Sequence, residues 1–93
     1  MIKNKKTVYK PDYATPPGAT LKDLLNAYHM PQIELAQRLG KNKKTINEII
    51  QAKAIITPEI ASDLATVFGT SDNFWNNLES NYQFYKRMQN GKI

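Results

Sequence analysis

The chain has 93 residues, 41% of them hydrophobic and 23% charged, which fits one globular domain with a modest core rather than a disordered chain. A net charge of +5 suits a polyanionic partner, and the absence of cysteine excludes disulfides, thiolate metal sites and cysteine nucleophiles. No window reaches the roughly 18 apolar residues of a membrane span, and the lysine-rich start precedes no apolar signal core, so a cytoplasmic location is expected.

Residues 1–19 lack helical period and contain Pro11, Pro16, Pro17 and Gly18, which reads as an irregular basic arm with a short strand around Thr7–Tyr9. Tyr9 and Tyr13 fit an arm anchored to the domain better than one laid along a nucleic-acid backbone. A domain over 20–85 and a basic tail over 86–93 complete the division. Leu21, Leu24, Leu25 and Tyr28 follow the i, i+3, i+4, i+7 rule, so a first helix is expected from Thr20 to about His29, capped by Thr20 or Ala19. Pro31 separates it from a second helix.

Gln32 to Gln51 reads as two short amphipathic helices around a tight turn. Leu35, Ala36 and Leu39 share one face, and Ile46, Ile49 and Ile50 share the next. Gly40 stands where the chain reverses, and Asn42 is the natural cap of the following helix. A small residue at Ala36, a glycine four later and a β-branched residue six after that let two steeply crossed helices close on one core. That is the helix-turn-helix pattern; the plain alternative is an αα-hairpin with no ligand.

A loop over 52–56 leads to Thr57, Pro58 and Glu59, a helix start with hydroxyl at the cap, proline in the first turn and carboxylate at the positive dipole end. The fourth helix carries Ile60, Ala61, Leu64, Ala65 and Phe68 and ends at Gly69. Ser71 caps a fifth helix, expected from Asp72 to about Gln89. In it Phe74, Trp75 and Leu78 are assigned to the core, and Tyr82, Phe84, Tyr85 and Met88 to a partner or dimer interface. The fold class is therefore all-α, with five helices.

Charge is unevenly spread. Net charge is +3 over 1–19, +3 over 32–53, −4 over 54–85 and +3 over 86–93, so a basic and an acidic surface are both expected. Enzyme chemistry is not indicated: His29 is the one histidine, at a helix end where it would cap carbonyls, and no phosphate loop or acid–base pair is present. Glu59 and Asp63 read as partners of a helix dipole, and no metal or cofactor is expected.

In a helix-turn-helix the start of the second helix enters the major groove of DNA. Counted from Asn42, the outward set is Lys43, Lys44, Thr45, Asn47 and Glu48. Lys43 and Lys44 can donate to guanine or phosphate, Asn47 can bridge adenine N6 and N7, Glu48 can accept from cytosine N4, and Thr45 can meet a thymine methyl or a phosphate. Gln32 is placed for a phosphate at the preceding helix start, Lys41 and Lys53 flank the reading helix, and Asn42 at its cap is counted with them as DNA-binding.

The runs PPGATLKDLL, IELAQRLGKNKKTINEII and ITPEIASDLATVFGTSDNFWNNL closely resemble the HigA-type antitoxins, a branch of the Xre/phage-repressor-like helix-turn-helix proteins. The resemblance covers about residues 16–85. It implies a lambda-repressor-like DNA-binding domain, a homodimer on palindromic double-stranded operator DNA, repression of its own operon, and neutralisation of a small basic ribonuclease toxin of the RelE/HigB kind. Either the acidic stretch 54–85 or the basic arm would face the toxin. Two features depart from the family: Pro31 stands where a Ser or Thr cap is usual, and the reading helix starts unusually rich in lysine. The same pattern is similar to the N-terminal module of longer Xre regulators, whose metallopeptidase-like domain these residues do not contain. A helical interaction module with little DNA affinity is the remaining alternative.

Overall fold

The computed structural model describes residues 15–90. Five helices follow one another: α1 Pro17–Ala27, α2 Gln32–Leu39, α3 Lys43–Ile50, α4 Pro58–Phe68 and α5 Asp72–Asn90. There is no strand among the described residues. The strand expected at Thr7–Tyr9, and Tyr9 and Tyr13 with it, lie outside them.

α1 begins at Pro17, three residues before the expected Thr20, with Pro16 at the cap in an extended conformation. Proline at the first helical position lacks only an N–H that would have no intrahelical partner there. The buried face is Pro17, Gly18, Leu21 and Leu25, whereas Tyr28, assigned by periodicity to the same face, is 53% exposed and meets Phe68 edge-on. Pro17 and Gly18 thus belong to the helical core and not to an irregular arm. A Cβ on Gly18 would stand 2.1 Å from the Ile49 carbonyl oxygen and 2.6 Å from that of Ile50. Glycine is needed because α1 crosses the end of α3 backbone to backbone.

α2 and α3 form one helical pair, α4 and α5 another, and both turn on the same device. Ala36 and Ala65 are buried; four residues later Gly40 and Gly69 adopt left-handed conformations with φ of 68° and 74°. The next N–H turns back to the alanine carbonyl, Lys41 to Ala36 at 2.9 Å and Thr70 to Ala65 at 3.1 Å. Asn42 Oδ1 then accepts from the Thr45 N–H at 2.9 Å, and Ser71 Oγ from the Phe74 N–H at 3.1 Å. Four residues past each cap a large side chain, Ile46 or Trp75, is fully buried. Helix ends leave orphan donors and acceptors, and each turn satisfies a carbonyl at the end of its first helix and an N–H at the start of its second within the chain.

Two further helices end in left-handed residues that are not glycine. His29 (φ 54°) and Ala52 (φ 62°) close α1 and α3, where Met30 donates to the Leu25 carbonyl at 2.9 Å and Lys53 to that of Glu48 at 2.8 Å. His29 therefore shapes a helix end through its backbone. After Ala52 the chain returns Ile56 to the core, 3% exposed, and the Ile56 N–H donates to Glu79 Oε1 of α5 at 2.9 Å. α4 starts as the sequence indicates, with Thr57 Oγ1 accepting from the Ile60 N–H at 3.2 Å.

Among the described side chains of α5 only Trp75 is fully buried, and its indole N–H donates to Thr70 Oγ1 at 2.8 Å. Phe74, expected in the core, is 39% exposed and packs its edge on Trp75, with ring centres 5.1 Å apart. The helix runs through 86–90, where a separate tail was expected, and no helix among the described residues is long and apolar enough to cross a membrane.

Candidate nucleic-acid interface

α3 is a short helix set by its ends. Asn42 holds the first turn through the Thr45 N–H and also takes the Thr45 hydroxyl proton, at 3.0 Å. These bonds occupy Asn42 Oδ1 and the Thr45 hydroxyl proton and fix the direction of the helix start, leaving Asn42 Nδ2 outside them. Ile46 and Ile49, at 0% and 2% exposure, lock the opposite face into the core. What remains outward at the N-terminal end is Lys43 and Lys44, both exposed, with Asn47 and Glu48 half-buried one turn on.

Lys44 lies 3.9 Å from Glu48, with 80% and 39% of their side chains exposed. A pair so open to water contributes little to stability, and Lys44 stays available to a phosphate. Glu48 beside it is a local negative charge that a DNA backbone would repel but a cytosine amino group would meet. On the outer face of α2, Arg38 is engaged by Glu34 at 2.7 Å.

The structure joins the start of α2 to α3 directly. Asn47 Nδ2 donates to Gln32 Oε1 at 3.3 Å, across a sequence separation of 15. Pro31 caps α2 in an extended conformation with no side-chain hydrogen bond, which leaves N–H groups of the first turn of α2 without a side-chain acceptor. Gln32 and Asn47 therefore meet at the α2 start, while Lys41 stands in the turn at the other end of α2 and Lys43 and Lys44 in the first turn of α3. Donors, positive charge and two positive helix-dipole ends are spread along the pair, a combination suited to phosphate and to base edges.

Lys53 stands apart from this group. It lies beyond the far end of α3, whose axis runs about 10 Å from Lys43 to Ile50 at 1.5 Å per residue. There it lines a cavity of about 140 Å³ together with Gly18, Ile49, Glu79, Tyr82 and Lys86. The four α5 residues assigned to an interface divide as well. Tyr82 is half-buried at that cavity, with the Lys86 ammonium 5.4 Å from its ring centre; Tyr85 is half-buried; Phe84 and Met88 are 48% and 55% exposed.

Sequence reasoning missed Gly18 and Glu79, which hold the two ends of the segment carrying α3 against α1 and α5. Pro17–Gly18 directly before an apolar period was a usable signal for the first, since proline favours the first helical position. Glu79 carried none, because its acceptor role depends on a loop 23 residues away.

A family model described as Helix-turn-helix matches residues 21–75, the stretch from the middle of α1 to the buried Trp75. The chain belongs to the helix-turn-helix family. Within it, the chain is 30% identical over 64 residues to YddM of Escherichia coli K12, an uncharacterized HTH-type transcriptional regulator, which covers 69% of this chain and 68% of that protein. Among solved structures, it is similar to the Pseudomonas aeruginosa antitoxin HigA with the higBA promoter: 32% identity, 85% of this chain, 88% of that chain and a TM-score of 0.80. A HigA-family addiction module antidote protein from Coxiella burnetii is 28% identical over 85% of this chain and 87% of that one, with a TM-score of 0.78. The five-helix arrangement is thus that of HigA-type helix-turn-helix proteins.

Proposed function

We propose that this protein is the antitoxin of a type II toxin–antitoxin module, binding operator DNA through α3, repressing its own operon and neutralising a RelE/HigB-like ribonuclease in the cytoplasm. The observation that supports the DNA-binding part is the pair of exposed lysines, Lys43 and Lys44, at the Asn42-capped start of α3, with Asn47 one turn on and hydrogen-bonded to Gln32. Lys41, Lys43 and Lys44 supply sequence-independent attraction, and Asn47 and Glu48 supply base discrimination. Lys53 neutralises a phosphate at the far end of α3. Two copies related by a twofold axis would present two reading helices to a palindrome. Exposed Phe84 and Met88, with Tyr82 and Tyr85 beside them, form the apolar strip for a second copy or the toxin.

The acidic run 54–85 suits a basic partner, although Glu79 is already committed to the Ile56 N–H. The likeness to YddM favours a second reading, a transcriptional regulator without a toxin. One experiment separates the readings. The protein is expressed with the product of the adjacent reading frame, purified, and tested on DNA from upstream of its own start. The antitoxin reading predicts co-purification with a small basic protein, and a Lys44→Ala variant that loses operator affinity while keeping that partner. Operator binding with no partner supports the regulator; a partner with no DNA binding supports an interaction module.

A further inference from the structure

The sequence divides four aromatic residues among three helices, and the fold sets them in one row. Tyr28 at the end of α1 meets Phe68 of α4 edge-on with ring centres 5.3 Å apart, Phe68 lies 6.3 Å from Trp75, and Phe74 meets Trp75 edge-to-face at 5.1 Å. The two inner rings are buried, whereas the two end rings are open, Tyr28 at 53% and Phe74 at 39% exposure. We infer that this row, with the carboxylates of α4 and of the α5 start, is the surface that takes the basic toxin. The inference rests on the antitoxin reading proposed above.

The open rings have what anchors an interface. Aromatic side chains bring a large contact area for few rotatable bonds, and each of these is held on one side by a buried ring. Little freedom is therefore lost when a partner covers them. The three ring-to-ring steps fall within the breadth of a standard interface of about 800 Å² per partner.

Charge selects the partner. Residues 54–85 hold no Lys or Arg, and Glu59, Asp63 and Asp72 make no ion pair among the described residues. Asp72 stands exposed in the same first turn of α5 as Phe74. A lysine or arginine of the partner can lay its stem or its guanidinium over an open ring and meet a carboxylate with its charge. A second copy offering the same surface would set carboxylates against carboxylates, which disfavours self-pairing here. The strip of Phe84 and Met88 differs, because Lys86 and Arg87 stand exposed within it and would repel a basic protein. That strip is left to the second copy. No ring of the row belongs to α3, so the toxin and the DNA are met by different helices.

The test uses the full chain and the product of the adjacent reading frame, purified apart and recombined, with affinity and association rate read by surface plasmon resonance. Tyr28→Ser/Phe74→Ser is expected to weaken the complex by about tenfold or more, as loss of central anchors does. Asp72→Lys should slow association at low salt and restore the wild-type rate at high salt, where screening removes the attraction. Phe84→Ser/Met88→Ser should keep the affinity for the product and lower self-association, read by sedimentation. Operator affinity of the aromatic variant, unchanged because Lys43 and Lys44 are untouched, shows that it folds. Where it does not fold, Asp72→Lys decides alone, since an exposed residue is replaced and no cavity is left. A folded aromatic variant with wild-type affinity for the product would overturn the inference. So would an Asp72→Lys association rate equal to the wild type at low salt, or a greater loss from Phe84→Ser/Met88→Ser than from the aromatic pair. A wild type that does not bind the product at all would instead overturn the antitoxin reading beneath it.

Discussion

The α2–α3 and α4–α5 turns are built alike and are fitted for different work. Each has a buried alanine, a left-handed glycine four residues on, a side-chain cap two residues later and a buried anchor four beyond that. The difference lies in what the shared frame carries outward. After Asn42 come Lys43 and Lys44; after Ser71 come Asp72 and Asn73. Between glycine and cap, Lys41 is half-exposed, while Thr70 turns its hydroxyl to the Trp75 indole. The first turn spends its polar atoms on fixing a helix that holds two lysines out to solvent, the second on seating the tryptophan that closes the core. A helix-turn-helix backbone therefore does not by itself define a reading surface, and charge and donor placement do.

The largest effects test whether both turns carry the fold equally. Trp75→Ala should cost about 3–5 kcal/mol and Ile46→Ala about 2–5 kcal/mol, read from urea unfolding. A small effect at either position would mean that its turn is not anchored by the buried residue. Gly18→Ala should come next, at about 1–3 kcal/mol, because the new methyl meets two α3 carbonyls that are backbone and move only with the helix. Operator affinity should fall with it, since α1 sets the position of the α3 end.

The caps sharpen the comparison. Asn42→Ala and Ser71→Ala should each cost about 1 kcal/mol of stability. Only Asn42→Ala should also weaken DNA binding, because it frees the α3 start, and anisotropy on the same duplex reads the difference. The smallest effect runs the other way. Ala52→Gly should stabilise the fold by about 0.5–1 kcal/mol, since a left-handed alanine is strained where glycine is not. No gain in the unfolding midpoint would mean that Ala52 is relieved by its surroundings.

Most of the fold was legible because its signals are local. Gly40, Asn42, Thr57, Pro58, Gly69 and Ser71 act on groups within five residues of themselves, and each took the expected place. The five-helix class followed from them together with the apolar periods, and the family from the resemblance of the runs that contain them. The relations hidden from the sequence connect distant residues: Gly18 with Ile49 and Ile50, Ile56 with Glu79, and Gln32 with Asn47. Tyr28 and Phe74 show the limit of periodicity, which places a residue on a helix face and cannot say whether a neighbour covers that face. Ala52 had no signature, since alanine normally continues a helix.

The central claim is that the first turn, and not its counterpart, faces DNA. The most direct measurement is duplex affinity against salt concentration for the wild type, for Lys43→Ala/Lys44→Ala and for Asp72→Ala/Asn73→Ala. With roughly 6–10 phosphates met by the proposed dimer, wild-type affinity should fall by about 10³–10⁵ between 50 and 200 mM salt. The lysine pair should lower the slope by about 1 per lysine in each protomer, and the Asp72/Asn73 pair should leave it unchanged. A flat wild-type response, or equal losses from the two variants, would contradict the account.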